Sequence, residues 1–274
     1  MLEVCIDSLE SAINAIHGGA DELEVCSSLP EGGLTPSPGL VKEILKMMDN
    51  ISCGKPIYKH CTDFCCKNIK RPKINIMIRC RGGSDFCYTT QEMDTMLSDI
   101  EYYKTLNVDR FVFGALKETY NIDEESCQRV ITAAYPVLVT FHRAFDICLD
   151  PSYTLDRIIK LGFTRLLTSG QQESANDPKA IELLQKLLII NEDRIEIMPG
   201  AGVNADNVKD FVEIGCKIIH SSCKTCKEIN VKSELSMGTN STEYIFYTDE
   251  NIVRSVKEVL MKTVDGKRIN VLKQ

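Results

Sequence analysis

The chain has 274 residues, the size of one large α/β domain, and 43% hydrophobic with 26% charged residues excludes wholesale disorder. With 32 Lys and Arg against 39 Asp and Glu, the net charge of −7 argues against a nucleic-acid-binding surface. No apolar run approaches the roughly 18 residues of a membrane span, and Glu3 stands where a secretion signal would be basic, so a cytoplasmic protein is expected.

The first apolar run, Leu2 to Ile6, reads as a strand. Leu9, Ala12, Ile13 and Ile16 follow at helical spacing, and Gly18-Gly19 stops that helix. Glu22 to Cys26 is a second strand, and Ser37-Pro38 offers an N-cap and first-turn proline before Leu40, Val41, Ile44 and Leu45. A third strand, Ile74 to Cys80, precedes a helix carrying Met93, Met96, Leu97 and Ile100. A fourth, Arg110 to Gly114, precedes Cys127, Val130 and Ile131. Val137 to His142 is the fifth, and Asp150-Pro151 opens the helix of Leu155, Ile158 and Ile159. Arg165 to Thr168 is the sixth, and Asp177-Pro178 caps the helix of Ile181, Leu184 and Leu188. Ile195 to Pro199 is the seventh, with Asn204 expected to cap the helix of Val208, Phe211 and Val212. Lys217 to Ser221 is the eighth, and a last helix from near Thr248 carries Ile252, Val253, Val256 and Leu260.

Strands alternating with helices in this way imply parallel βαβ units. Eight of them suit a (β/α)8 barrel, whose usual size is about 250 residues. An open doubly wound sheet is the rival, but no G-x-G-x-x-G follows the first strand. One domain spanning 1–274 is expected, with a Cys-rich insert at about 52–72 and a second polar stretch at 223–248. The insert carries His60, Cys61, Cys65 and Cys66, without the clean C-x-x-C pair of a zinc loop, so a surface loop is expected. Cys223 and Cys226 have that spacing but follow a strand, which places them at the opposite end of a barrel. The 13 cysteines are scattered and odd in number, and read as reduced thiols.

Leu-Glu-Val-Cys occurs twice, at 2–5 and 23–26, each time on an expected strand. Strand side chains alternate, so Glu3 shares a face with Cys5, and Glu24 with Cys26. A carboxylate against the helix layer would be costly, so this face is expected to point into the barrel. Arg79 and Arg81, His142 and Arg143, and His220 close other strands and are the expected partners of the inward glutamates. The alternatives are a satisfied internal salt-bridge network and a polar pocket holding acid–base groups. Small residues follow the later strands, in Thr168-Ser169-Gly170 and Pro199-Gly200-Ala201-Gly202, where backbone N–H groups and a helix N-terminus can hold an anion. Ser169, Gly170, Gly200 and Gly202 are the candidates for that site.

Several blocks resemble the CutC copper-homeostasis family: Gly18-Gly-Ala-Asp-Glu-Leu-Glu-Val-Cys26, Glu31-Gly-Gly-Leu-Thr-Pro-Ser37, Met77-Ile-Arg-Cys-Arg-Gly-Gly83 and Val139-Thr-Phe-His-Arg-Ala-Phe-Asp146. Leu167-Thr-Ser-Gly170 and Met198-Pro-Gly-Ala-Gly202 extend the resemblance. It implies a (β/α)8 barrel, a cytoplasmic homo-oligomer linked to copper handling, and Cu(I) bound by Cys5 and Cys26. Where the family has Arg-Pro-Arg-Gly-Gly, this chain has Cys80 in place of the proline. Soft Cu(I) prefers thiolates, which agrees with that implication. The competing reading is an enzyme acting on a small anionic metabolite, with Glu3 or Glu24 as general base, Arg79 as anion clamp and His142 as acid.

Overall fold

Strands that are apolar toward a helix layer and polar on the other face can close into a ring that shields the polar face. A computed structural model, which describes residues 1–57, 69–228 and 244–271, shows them doing so. The strands are β1 (Leu2–Ile6), β2 (Glu22–Val25), β3 (Lys73–Met77), β4 (Arg110–Phe113), β5 (Leu138–Phe141), β6 (Arg165–Thr168), β7 (Glu196–Pro199) and β8 (Ile219–Ser221). Between them run α1 (Leu9–Gly18), α2 (Pro38–Ser52), α3 (Thr90–Lys104), α4 (Glu124–Ala134), α5 (Pro151–Leu161), α6 (Pro178–Asn191) and α7 (Val208–Ile214). An antiparallel ribbon, β9 (Lys224–Glu228) with β10 (Tyr244–Thr248), precedes α8 (Glu250–Val271). The barrel strands are ordered β7-β6-β5-β4-β3-β2-β1-β8, every pair parallel, and β7 and β8 meet to complete the ring without a ladder. This is the expected (β/α)8 barrel.

The caps read from sequence hold. Ser37 accepts from the Leu40 N–H ahead of α2, and Asp150 and Asp177 do the same for α5 and α6. Leu2, Val4, Ile6, Leu23, Val25, Ile74, Ile76 and Phe111 are buried within the main apolar core against the helices. Met77 and Val112, and separately Leu167 and Met198, form small apolar clusters apart from it. Those residues are in phase with Glu3 and Glu24, on the interior face.

One expectation is corrected, and one pair of strands is added. The helix expected from Asn204 begins at Val208, because Asn204 and Asn207 spend their polar atoms on the preceding turn. Asn207 Oδ1 accepts from the Asn204 N–H, and its Nδ2 donates to the Gly202 carbonyl. The polar stretch 223–248 contains the ribbon, whose strands are exposed on both faces and so lack the alternation that marks a half-buried strand. The zinc-like residues His60, Cys61, Cys65 and Cys66 lie outside the described residues. Every described cysteine is a free thiol. Among the described residues no helix is long and apolar enough to cross a membrane.

Candidate functional site at the barrel mouth

The interior begins with a plug of ion pairs at the N-terminal end of the strands. Arg165 is fully buried and donates to Glu22 (2.8 Å), Glu196 (2.8 Å) and, more loosely, Glu3 (3.3 Å). Asn75 bridges Glu3 and Glu22 from β3. Glu3, one of the expected bases, is therefore consumed from below. Burial alone would raise its carboxyl, but the hydrogen bond and charge of His220, with Arg165, outweigh that and hold it low.

Above this plug, Glu3 Oε1 lies 2.8 Å from His220 Nδ1. The other face of the ring meets Glu24 and Cys5. His220 Nε2 is 3.8 Å from Glu24 Oε2, and ligand atoms of Cys5, Glu24 and His220 all lie within 4.8 Å of one another. Burial opposes a charged imidazole, yet Cys5, Glu24 and Glu3 together raise His220 well above the usual histidine range. Glu24 is pushed the other way for a carboxylate: burial, resisted by His220 and reinforced by Glu3, lifts it to about 7. Its Oε1 is buried with no hydrogen-bond partner among the described residues.

The parallel register pairs Cys5 with Glu24, which leaves Cys26 two residues further along β2 and its extension. Cys26 is fully buried, with Sγ 3.5 Å from Glu24 Oε2. Gly33, at φ +86°, passes so close that a Cβ there would sit 3.1 Å from the Cys26 sulfur. Burial, then the charges of Glu24 and Cys5, push the Cys26 thiol well above its ordinary value.

The mouth is a pocket of about 510 Å³ whose lining includes Cys5, Glu24, Arg79, His142, Arg143 and His220. Arg79 and His142 reach it from just beyond β3 and β5. His142, expected as an acid, is held neutral: burial and then the nearby Arg79 charge push it down to about 3. Its Nδ1 accepts from the Ala144 N–H, so the proton resides on Nε2. That ring fits only because residue 114 is glycine, where a Cβ would meet His142 Nδ1 at 2.6 Å.

The four expected anion-binding residues do not assemble. The Ser169 N–H and hydroxyl already donate to Asp146, a carboxylate of the chain itself. The Gly170 N–H is taken by Thr168 Oγ1, and Gly200 packs against Leu167 and His220. Of the four, Gly202 alone lines the pocket. In the sequence His220 reads as a partner of the glutamates; in the closed ring it is also a neighbour of Cys5. The signal was its phase on the strand that closes the ring beside β1.

Residues 1–225 match the family model described as the CutC family. A protein of Caenorhabditis elegans named copper homeostasis protein cutC homolog is 38% identical over 260 residues, covering 94% of each chain. A human protein of the same name is 37% identical over 266 residues, 94% of this chain and 88% of that one. The crystal structure of a CutC protein from Streptococcus agalactiae superposes with a TM-score of 0.69 at 30% identity, covering 81% of this chain and 98% of that one.

Proposed function

Because the chain belongs to the CutC family, we propose that its pocket takes up copper as Cu(I), held by Cys5 and Cys26 with His220 as third donor. The observation that carries this reading is the convergence of Cys5, His220 and Glu24, with ligand atoms within 4.8 Å of one another. Two thiolates and an imidazole suit a soft monovalent ion, whereas the carboxylate of Glu24 is a hard donor and ranks last. Cys26 shares the interior face, with its Sγ 3.5 Å from Glu24 Oε2 and so beside that group. The name of these relatives, copper homeostasis protein, supports copper as the cargo.

Loading displaces protons. Cys26 is a neutral thiol and His220 an imidazolium, so both must deprotonate before they coordinate. Apparent affinity should therefore rise with pH. The test is a Cu(I) titration against a competing chelator under reducing conditions. Cys5→Ser should abolish the site, Cys26→Ser and His220→Gln should each weaken it, and Ser at the exposed Cys53 and Cys226 should leave it intact. Unchanged stoichiometry and affinity in Cys5→Ser would sink the proposal.

A further inference from the structure

A carrier of a bare metal ion has no need of the wall opposite Cys5. Arg79 is 4% exposed, yet among the described residues no carboxylate pairs with it. Its guanidinium has five N–H donors. Two on Nη1 go to the carbonyls of Glu31 (2.7 Å) and Gly33 (3.1 Å), and one on Nη2 goes to Gly83. The Nε–H and one Nη2–H have no acceptor among the described residues, and such a pair grips a planar oxyanion with two hydrogen bonds.

A second donor stands on the same wall. His142 Nε2, which carries the proton, is buried with no partner among the described residues. Phe86 packs against both groups, its ring 5.0 Å from the His142 ring and 5.2 Å from the Arg79 guanidinium carbon. The loop that carries Phe86 is fixed by Arg81, which bonds Asp85 and Glu92. Among the pocket's lining residues Glu24 alone is acidic; His220 is paired with Glu3 and Arg143 with Asp146, which leaves Arg79 and Lys224 as cations with no carboxylate partner among the described residues. A cationic mouth in a chain of net charge −7 draws small anions inward. Deeper in, the unpartnered Glu24 Oε1 is an open acceptor.

We propose that this pocket binds a small hydroxylated oxyanion, its carboxylate or phosphate head on Arg79 and His142 and its hydroxyl on Glu24. The proposal goes beyond the copper reading and does not depend on it. The experiment is calorimetric titration of the metal-free protein with glycerate, glycerol 3-phosphate, acetate, inorganic phosphate and glycerol. Charged, hydroxylated probes should bind and glycerol should not, and the preferred head group separates a carboxylate site from a phosphate site. Arg79→Lys, which keeps the charge but loses the fork, should weaken binding about tenfold or more. Because Arg79 also ties three loop carbonyls, the wild-type protein supplies a second readout: the ¹⁵N signal of His142 Nε2 should move on titration. Glu24→Leu should erase the advantage of glycerate over acetate. Failure of every charged probe at millimolar concentration, or binding that leaves the His142 signal still, would overturn the site. Equal affinity for hydroxylated and plain anions would overturn the Glu24 contact.

Discussion

His142 is a neutral donor because its surroundings forbid the imidazolium, and that has a thermodynamic signature. An unfolded histidine takes up its proton near pH 6.5, while the folded one waits until about pH 3. Over that interval the unfolded chain binds more protons, so His142 makes the fold lose stability as pH falls. Wild type should therefore lose about 3 kcal/mol more than His142→Gln between pH 7 and pH 4, as urea unfolding would show. Parallel losses in the two proteins would mean that His142 is charged. Glu24 has the opposite sign: with its folded value raised from 4.5 to about 7, it lowers stability as pH rises through that window. Glu24→Gln should remove that decline, measured by the same unfolding curves. Gly33 offers a steric test, since its φ of +86° and its approach to Cys26 both disfavour a side chain. Gly33→Ala should cost about 1–3 kcal/mol and shift Cys26, seen in thermal unfolding and in slower or faster thiol modification. A variant as stable as wild type would show the turn to be slack.

At the level of strands and helices, the interior faces divide into an ionic plug below and a reactive layer above. Arg165 on β6 neutralises Glu22 on β2 and Glu196 on β7, and so ties together strands far apart in sequence. Removing it strands buried carboxylates, so Arg165→Met should destabilise by about 3–5 kcal/mol in urea unfolding. Adding Glu22→Gln should recover part of that loss; if it recovers none, packing rather than charge holds the plug. Most elements were legible in the sequence because period and caps agreed, as at Ser37-Pro38, Asp150-Pro151 and Asp177-Pro178. The start of α7 was not, since Asn204 carries a capping residue's chemistry but spends it on a turn with Asn207. The ribbon of β9 and β10 escaped because a strand pair with two exposed faces leaves no alternating pattern.

Over the whole molecule, ring closure decides what the sequence can and cannot show of the site. The repeated Leu-Glu-Val-Cys located Cys5, Glu24 and Cys26 on one face, and a strand period was enough for that. Register was beyond it: the pairing of Cys5 with Glu24 offsets Cys26 along the barrel. Closure of β8 onto β1 brought His220 between Glu3 and Cys5, a contact 217 residues apart in sequence for Glu3 and invisible to local pattern. The expected anion-binding residues are occupied in the same way, because Asp146, in the turn that follows β5, reaches Ser169. Each misplaced residue was assigned from its own neighbourhood and settled by a distant one. The copper proposal therefore rests on the convergence of Cys5, Glu24 and His220, which only the closed ring assembles. X-ray absorption at the copper edge of the Cu(I)-loaded protein tests it most directly. Two sulfur scatterers and one nitrogen are expected, with the nitrogen lost in His220→Gln. A shell of sulfur alone, or one unchanged in Cys5→Ser, would contradict it.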